Sequence, residues 1–247
     1  MQRYFVAEEQ IDLNINEIKI VGSDVHHIKN VMRMKIGDEV IASSNHKAYR
    51  CAIGLLEDDV VVLKIKEQLT ENAELSVAIT IAHGLTTREK REEVVQKITQ
   101  LGACQYQSVM MKKCQVKLSD NAKKQTERLN KIAKEASEQS QRSKILEVKE
   151  CITFNELLKL KVQYDLCLVA STKAVKTTDA LGAAFTKKAQ KILIVVGPEA
   201  GLDETEEAKL IENGFEAISL GKRILRCEVA PVYIMSVASY LLEKAGE

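Results

Sequence analysis

"KILIVVGPEAGLDETEEAKLIENG", residues 191–214, decides the fold. Ile192 to Val196 form a continuous apolar run, the mark of a strand in a parallel sheet covered on both faces. Gly197 and Gly201 let backbone approach a ligand closely, and Pro198 stiffens the turn between them. Asp203 and Glu206 have the D-x-x-E spacing of a capping box, and Gly214 stops the helix that follows. Strand, glycine turn and helix in this order form one unit of an α/β sheet. The turn is neither G-x-G-x-x-G nor a Walker A loop, which needs G-K-[ST].

The same alternation extends outward in both directions. Upstream, "VAITIAHGL" (77–85) and "YDLCLVAS" (164–171) are apolar strands, and "YQSVMM" (106–111) is a third. "TTREKREEVVQKITQLGA" (86–103) predicts a helix with Val94, Val95, Ile98 and Leu101 on one face and Gly102 as its stop. "NAKKQTERLNKIAKEASEQSQR" (121–142) predicts a long polar helix with a thin stripe at Leu129, Ile132 and Ala136. Downstream, "AISLG" (217–221) is the last strand, and a helix follows with Pro231 near its first turn. Ala230, Tyr233, Ile234, Val237 and Leu241 face inward from it. The sheet has roughly five or six strands.

Before residue 70 the pattern differs. "EIKIV" (17–21), "DEVIASS" (38–44) and "VVVLKIKE" (60–67) are short β-branched strands with turns at Gly37-Asp38 and at 57–59. "SDVHHIKNVMRM" (23–34) predicts one helix, capped by Ser23 or Asp24, with Ile28, Val31 and Met32 at helical spacing. "LTENAEL" (69–75) reads as a linker. The chain therefore divides into a small β-rich domain, 1–70, and an α/β domain, 71–247.

Composition bounds the function. Of 247 residues, 45% are hydrophobic and 29% charged. No apolar run reaches the roughly 18 residues of a membrane helix, and "MQRYFVAEEQ" lacks the order of a signal peptide. A cytoplasmic protein is expected. The six cysteines contain no C-x-x-C pair and the four histidines no ligand spacing, so no metal is expected. Net charge is +1, but Lys112–Lys149 carries eleven Lys/Arg against five Asp/Glu. This basic segment on an otherwise mildly acidic chain suggests a polyanionic partner.

Three loops sit at strand C-termini, where open α/β sheets bind ligands: 169–172, 196–206 and 219–226. The last runs into "LGKRILRCEVAP" (220–231), where Lys222, Arg223 and Arg226 are split by Ile224 and Leu225. The two apolar residues predict a loop held against the core while it offers charge outward.

"VVGPEAGLDETE" followed by "SLGKRILRCEVAPVYIMSV" resembles the signature of the RsmE family, SPOUT-class methyltransferases acting on N3 of a uridine in 16S ribosomal RNA. The resemblance runs almost end to end. "MQRYF" and "HHIKNVMRMKIGDEV" are similar to the family's N-terminal PUA-like barrel. "VVQKITQLGA" is similar to its Q-K-x-x-E-L-G helix, and "IAKEASEQSQRSKI" to its E-A-x-E-Q-x-x-R stretch. The chain departs from the family pattern at Gln100, Lys113, Ala200, Cys227 and Val229. Two hydroxyls are thereby absent beside the expected pocket, at Cys227 and Val229.

The resemblance implies a PUA-like β-barrel joined to an α/β domain with a C-terminal trefoil knot, a homodimer, and a role in ribosome biogenesis on the small ribosomal subunit. It implies an S-adenosylmethionine pocket built by Ala170, Ser171, Val196, Gly197, Pro198, Glu199, Gly201, Ser219, Leu220, Gly221, Ile224 and Leu225. Backbone groups of Val196, Gly197, Leu220, Gly221 and Leu225 would hold adenine and ribose, with Ile224 and Leu225 as walls. RNA contacts would come from His26, His27, Arg33, Lys97, Lys113 and Arg223. Another SPOUT target and a non-catalytic RNA-binding homologue are the alternatives.

The chemistry explains the residue types. N3 of uracil lies on the Watson–Crick edge, so the base must be unpaired or flipped out. N3 must lose its proton, and a nearby cation favours the anion. Arg226 and Arg142 are the candidate cations, and Glu228 the candidate proton acceptor or the partner that orients Arg226.

Overall fold

The computed structural model describes residues 1–44, 46–70, 73–117, 121–174, 179–186 and 188–244. Residues 71 and 72 of the expected linker lie outside the described residues. The chain forms two compact units, Met1–Glu74 with Ser137–Lys144, and Leu75–Ala136 with Ile145–Glu247. The division expected at 70/71 thus falls after Glu74, and Ser137–Lys144 groups with the first unit.

The first unit is a six-stranded mixed sheet. Its strands are β1 (Gln2–Phe5), β2 (Ile11–Asp12), β3 (Glu17–Val21), β4 (Glu39–Ser44), β5 (Lys47–Leu56) and β6 (Val60–Leu69), in the order β1-β4-β5-β6-β3-β2. Only the β1–β4 pair is parallel. Alternate residues point inward, as the period of a strand requires: Ile18 and Ile20 from β3, Cys51 and Ile53 from β5, Val61 and Leu63 from β6. Register shifts in β5 at 50/51 and 53/55 bend that strand.

The predicted helix of this unit differs in detail. A single turn, α1 (Ser23–His26), follows Gly22 at φ 74°, and the chain widens into a π turn over His27–Val31. Gly22, not Ser23 or Asp24, is the N-cap. Ile28 is buried as expected, but Val31 and Met32 are exposed. The π turn takes more residues per turn than the α spacing assumes, and rotates both off the apolar face.

The second unit is a fully parallel sheet flanked by helices. In chain order it runs β7 (Ala78–Gly84), α2 (Arg88–Gln100), β8 (Gln105–Met110), α3 (Ala122–Gln139), β9 (Glu147–Thr153), α4 (Phe154–Leu160), β10 (Leu166–Ala170), α5 (Asp179–Thr186), β11 (Lys191–Val196), α6 (Glu204–Glu212), β12 (Glu216–Ile218) and α7 (Val229–Lys244). The last turn of α3, from Ser137, counts with the first unit. Strand order is β12-β10-β11-β7-β8-β9, parallel throughout. β11 shows why its sequence is continuously apolar: Ile192 and Ile194 pack into the core on one face, Leu193 and Val195 into that on the other. Truncating such a residue to alanine costs about 2–5 kcal/mol.

Helix ends follow their caps. Asp203 caps α6 by accepting from the Thr205 N–H at 3.0 Å. The reciprocal half of the expected capping box is absent: Glu206 is buried, and its Oε1 accepts from the Lys112 N–H at 3.0 Å. Gly102 and Gly214 adopt φ 87° and 82° and end α2 and α6. On α7, Ala230 and Ile234 are buried, with Tyr233, Val237 and Leu241 packed half-buried on the same core. Among the described residues no helix is long and apolar enough to cross a membrane.

Candidate cofactor pocket and its charged rim

In the second unit β12, β10 and β11 are neighbours, so their C-terminal loops converge. Between them lies a pocket of about 440 Å³, within the usual range for small-molecule sites. Every cofactor residue expected from the sequence lines it: Ala170 and Ser171 from the first loop, Val196, Gly197, Pro198, Glu199 and Gly201 from the second, Ser219, Leu220, Gly221, Ile224 and Leu225 from the third. Lys113 and Arg223 line it as well.

Local chemistry shapes each loop. The Gly201 N–H donates to the Pro198 carbonyl at 2.8 Å and closes a tight turn, with Gly201 at φ 74°. A Cβ on Gly197 would lie 2.8 Å from the Leu202 nitrogen, so only glycine lets this turn fold back on itself. Ser219 Oγ accepts from the Gly221 N–H at 3.2 Å, where Gly221 takes φ 99°. The first loop is tied to β12 by Ser171 N–H donating to the Ile218 carbonyl at 2.9 Å. Lys113 donates to the Leu202 carbonyl at 3.0 Å and so braces the second loop from below.

The burial expected for Ile224 is corrected. It lines the pocket but is 87% exposed, while Leu225 is half-buried against the core. Its apolar side chain stands at the mouth rather than in the interior. Arg226 follows with its side chain 85% exposed, and its Nη1 is 4.0 Å from Glu228 Oε1.

Glu228 is the better fixed of the two. Burial opposes its ionisation, yet its own backbone N–H, the Cys227 thiol, Lys90 and Arg226 together hold its carboxyl below the usual range. The Cys227 Sγ donates to Glu228 Oε2 at 3.2 Å. Burial and the neighbouring carboxylate push that thiol up to about 12, so it stays protonated and remains a donor. At Cys227 a thiol thus donates a hydrogen bond, while Val229 is exposed.

Lys90, in the first turn of α2, was not among the expected site residues. Its Nζ lies 3.3 Å from Glu199 Oε1 and 3.9 Å from Glu228 Oε2, joining the second and third loops. Glu199 Oε2 is buried without a hydrogen-bond partner. Behind this rim His83, at the end of β7, is fully buried. Its Nδ1 is 3.1 Å from the Tyr106 hydroxyl, and among the described residues its Nε2 has no partner in hydrogen-bond geometry. Burial pulls its pKa down to about 4 against the opposing pull of Glu199, so the ring is neutral at pH 7. A histidine inside an apolar strand gave no signal of this position.

The remaining expected residues are distributed over both units. Arg142 belongs to the first unit and is buried. Its Nη2 and Nε donate to Glu74 at 2.5 and 3.3 Å, and Glu74 also accepts from the Ser143 and Lys144 N–H groups, each at 3.0 Å. A buried guanidinium needs such a partner, so this fork is engaged in holding Ser137–Lys144. In the same unit His26 is exposed, with Nδ1 2.9 Å from Asn30 Nδ2, and His27 is half-buried, with Nδ1 3.0 Å from the Tyr4 hydroxyl. Arg33 is exposed at φ 51°. Lys97 of α2 pairs with Glu93 at 2.5 Å on the helix surface.

Comparison with known proteins gives consistent matches. The RNA methyltransferase domain family matches residues 73–239, and the RNA methyltransferase PUA domain family matches residues 21–66. Ribosomal RNA small subunit methyltransferase E of Bacillus subtilis (strain 168) is 39% identical, over 98% of this chain and 98% of its own length. The protein of the same name from Synechocystis sp. is 29% identical over 98% of this chain and 78% of its own. The solved structure of ribosomal RNA small subunit methyltransferase E from Neisseria gonorrhoeae, bound to S-adenosyl methionine, has a TM-score of 0.85 and 27% identity, covering 98% of each chain.

Proposed function

The chain belongs to the ribosomal RNA small subunit methyltransferase E family, and from that premise we propose that it methylates N3 of a uridine in 16S ribosomal RNA. It is an S-adenosylmethionine-dependent RNA methyltransferase. The observation that carries the reading is the convergence of the three loops on one pocket, whose lining Glu199 pairs with Lys90, which in turn lies 3.9 Å from Glu228.

The pocket fits the cofactor on its own features. Gly197 lets the second loop fold back on Leu202, Gly221 takes the φ of 99° that turns the third loop, and the volume suits a nucleoside. Val196, Gly197, Leu220, Gly221 and Leu225 would hold adenine and ribose through backbone groups. S-adenosylmethionine, when bound, supplies a methyl group activated by its sulfonium.

The protein's own residues then serve the base. The flipped uracil loses its N3 proton to Glu228, which the Cys227 thiol and Lys90 keep ionised and in place. Arg226 swings from its exposed position to offset the charge of the imide anion. The N3–methyl bond forms as the sulfur–methyl bond breaks, leaving 3-methyluridine and S-adenosylhomocysteine. Arg142 serves structure, through Glu74.

His26, His27 and Arg33 on the first unit, which matches the PUA family, and Lys97, Lys113 and Arg223 on the second, are the proposed RNA contacts. A trefoil knot is supported by strand order, since β11 inserts between β7 and β10 while β12 lies beyond β10. A homodimer is supported by Val229 and Tyr240, which α7 leaves exposed, and light scattering at micromolar concentration would return a monomer mass if this is wrong. A ribosomal RNA substrate supports a cytoplasmic location. The decisive experiment is nucleoside mapping of 16S ribosomal RNA from a deletion strain, before and after treatment with the pure protein. Methylation at another base or ribose points to another SPOUT target, and no methylation with intact RNA binding to a non-catalytic homologue.

A further inference from the structure

A second groove, of about 560 Å³, lies between α2 and α3 in the second unit and shares no residue with the cofactor pocket. Arg88, Arg91, Lys124, Arg128 and Lys131 line it against Glu92 and Glu127. Glu92 is already committed. It accepts from Arg88 Nε at 2.6 Å and from Arg128 through both of its oxygens, the second at 3.0 Å. Hydrogen bonds from Arg128, more than those from Arg88, hold its carboxyl down at about 2. This triad ties the two helices together and leaves one of its two cations uncompensated.

Arg91 differs from its neighbours. It is only 8% exposed, and among the described residues it forms no ion pair. Among the described residues its guanidinium makes one hydrogen bond, from Nη2 to Gln125 Oε1 at 2.8 Å, and its Nε has none. A buried cation without an anion is costly, whereas a buried guanidinium with an anion at its fork is not. Lys124 and Lys131 are exposed on the wall beside it. Lys124 forms no ion pair among the described residues, and Lys131 reaches Glu135 only at 3.9 Å.

We propose that this groove binds a phosphodiester of the RNA substrate, with Arg91 as the fixed anchor and Lys124 and Lys131 as mobile cations on the flanking phosphates. The proposal rests on the methyltransferase reading above. The planar fork of Arg91 suits two phosphate oxygens, and lysines suit a strand whose phosphates vary in position. RNA is favoured over an acidic peptide by the placement of α2. Lys90 reaches the cofactor rim from the same turn from which Arg91 and Arg88 reach the groove. Successive helix positions are about 100° apart on a cylinder about 10 Å across, so a strand gripped at Arg91 passes within about one helix diameter of the rim.

The test measures binding of a 16S ribosomal RNA fragment across a potassium chloride series, using wild type, Arg91→Gln and the double variant Lys124→Gln with Lys131→Gln. Calorimetry with S-adenosylhomocysteine runs alongside. The expected result is about tenfold weaker RNA binding for Arg91→Gln. Its salt slope should flatten by roughly 0.7–0.9, and that of the double variant by about twice as much, with S-adenosylhomocysteine binding unchanged. The lysines are exposed, so the double variant decides the matter even if Arg91→Gln fails to fold. A double-variant slope equal to wild type overturns the proposal. If the variants lose binding to poly-glutamate instead, the groove docks protein and the proposal also falls. Wild-type protein that neither binds nor methylates RNA would overturn the methyltransferase reading itself, whereas normal methylation by all three proteins with unchanged slopes removes only the groove.

Discussion

A Cβ on Gly84 would stand 2.5 Å from both the nitrogen and the Cδ of Pro198. The end of β7 is thus pressed against the turn that forms the floor of the cofactor pocket. Backbone cannot yield as a flexible side chain does, so Gly84→Ala must displace the 197–201 turn or strain β7. Overpacking of this kind costs about 1–3 kcal/mol. Because the turn is the softer element, the loss should fall on the cofactor. Calorimetry with S-adenosylhomocysteine should show at least about tenfold weaker binding, which corresponds to about 1.4 kcal/mol, with only a small fall in melting temperature. Unchanged affinity with a large drop in melting temperature would place the strain in the sheet instead.

Gly221 supplies a second test of the same pocket by a different route. Its φ of 99° is open to glycine and strained for any β-branched residue. Gly221→Val should abolish S-adenosylhomocysteine binding in calorimetry. Gly221→Ala, with strain of about 1–2 kcal/mol, should retain it at reduced affinity. Undiminished binding in the valine variant would remove the 219–225 loop from the pocket.

The legible parts of this site share a physical cause. β11 was readable because a strand covered on both faces has no polar positions to confuse the pattern, and the turn after it because Gly197, Pro198 and Gly201 each constrain backbone. β9 and α4 escaped notice since β9 is an edge strand with only Val148 fully buried, so its apolar signal is weak. Ile224 misled because side-chain hydrophobicity reports a tendency to be covered but not by what, and here it stands at a pocket mouth. Lys90 was invisible because its meaning lies in Glu199, 109 positions away, and a lysine in a polar first turn looks like any solvated one. Arg142 is expected as a catalytic cation from its motif, but a motif does not say which unit a residue serves, and its guanidinium is engaged with Glu74.

His83 makes stability depend on pH in a defined window. An unfolded histidine titrates near 6.5, and the buried ring only near 4. Between these values the unfolded chain holds the extra proton, so stability falls as pH drops from 6.5 toward 4. The interval is worth on the order of 3 kcal/mol. Glu74 and Glu228, whose carboxyls are held low, also lose their contribution on acidification, but starting from about 4.5 and below. Urea denaturation followed by circular dichroism at pH 7, 6 and 5 therefore isolates the histidine. His83→Gln should reduce the decline over that range by about one proton's worth. An identical decline in the variant would assign it to other groups.

The last prediction separates the roles of Arg226 and Glu228. Glu228 is 11% exposed and held by Cys227 and Lys90, whereas the Arg226 side chain is 85% exposed and 4.0 Å from its nearest carboxylate oxygen. Glu228 is therefore held in place by its neighbours, and Arg226 is not. If Arg226 stabilises the uracil anion, Arg226→Ala should lower the single-turnover rate by roughly 100-fold, by analogy with lost oxyanion donors. Affinity for S-adenosylhomocysteine should hardly change, because Arg226 does not line that pocket. Arg226→Lys should recover part of the rate, since a point charge does not reproduce the planar fork. Glu228→Gln should lower the rate comparably while leaving RNA affinity near wild type, because it removes the proton acceptor and not a phosphate contact. If Arg226 merely grips phosphate, its alanine variant will bind RNA more weakly yet regain the full single-turnover rate at saturating RNA. That recovery would leave Glu228 with the chemistry and Arg226 as an anchor.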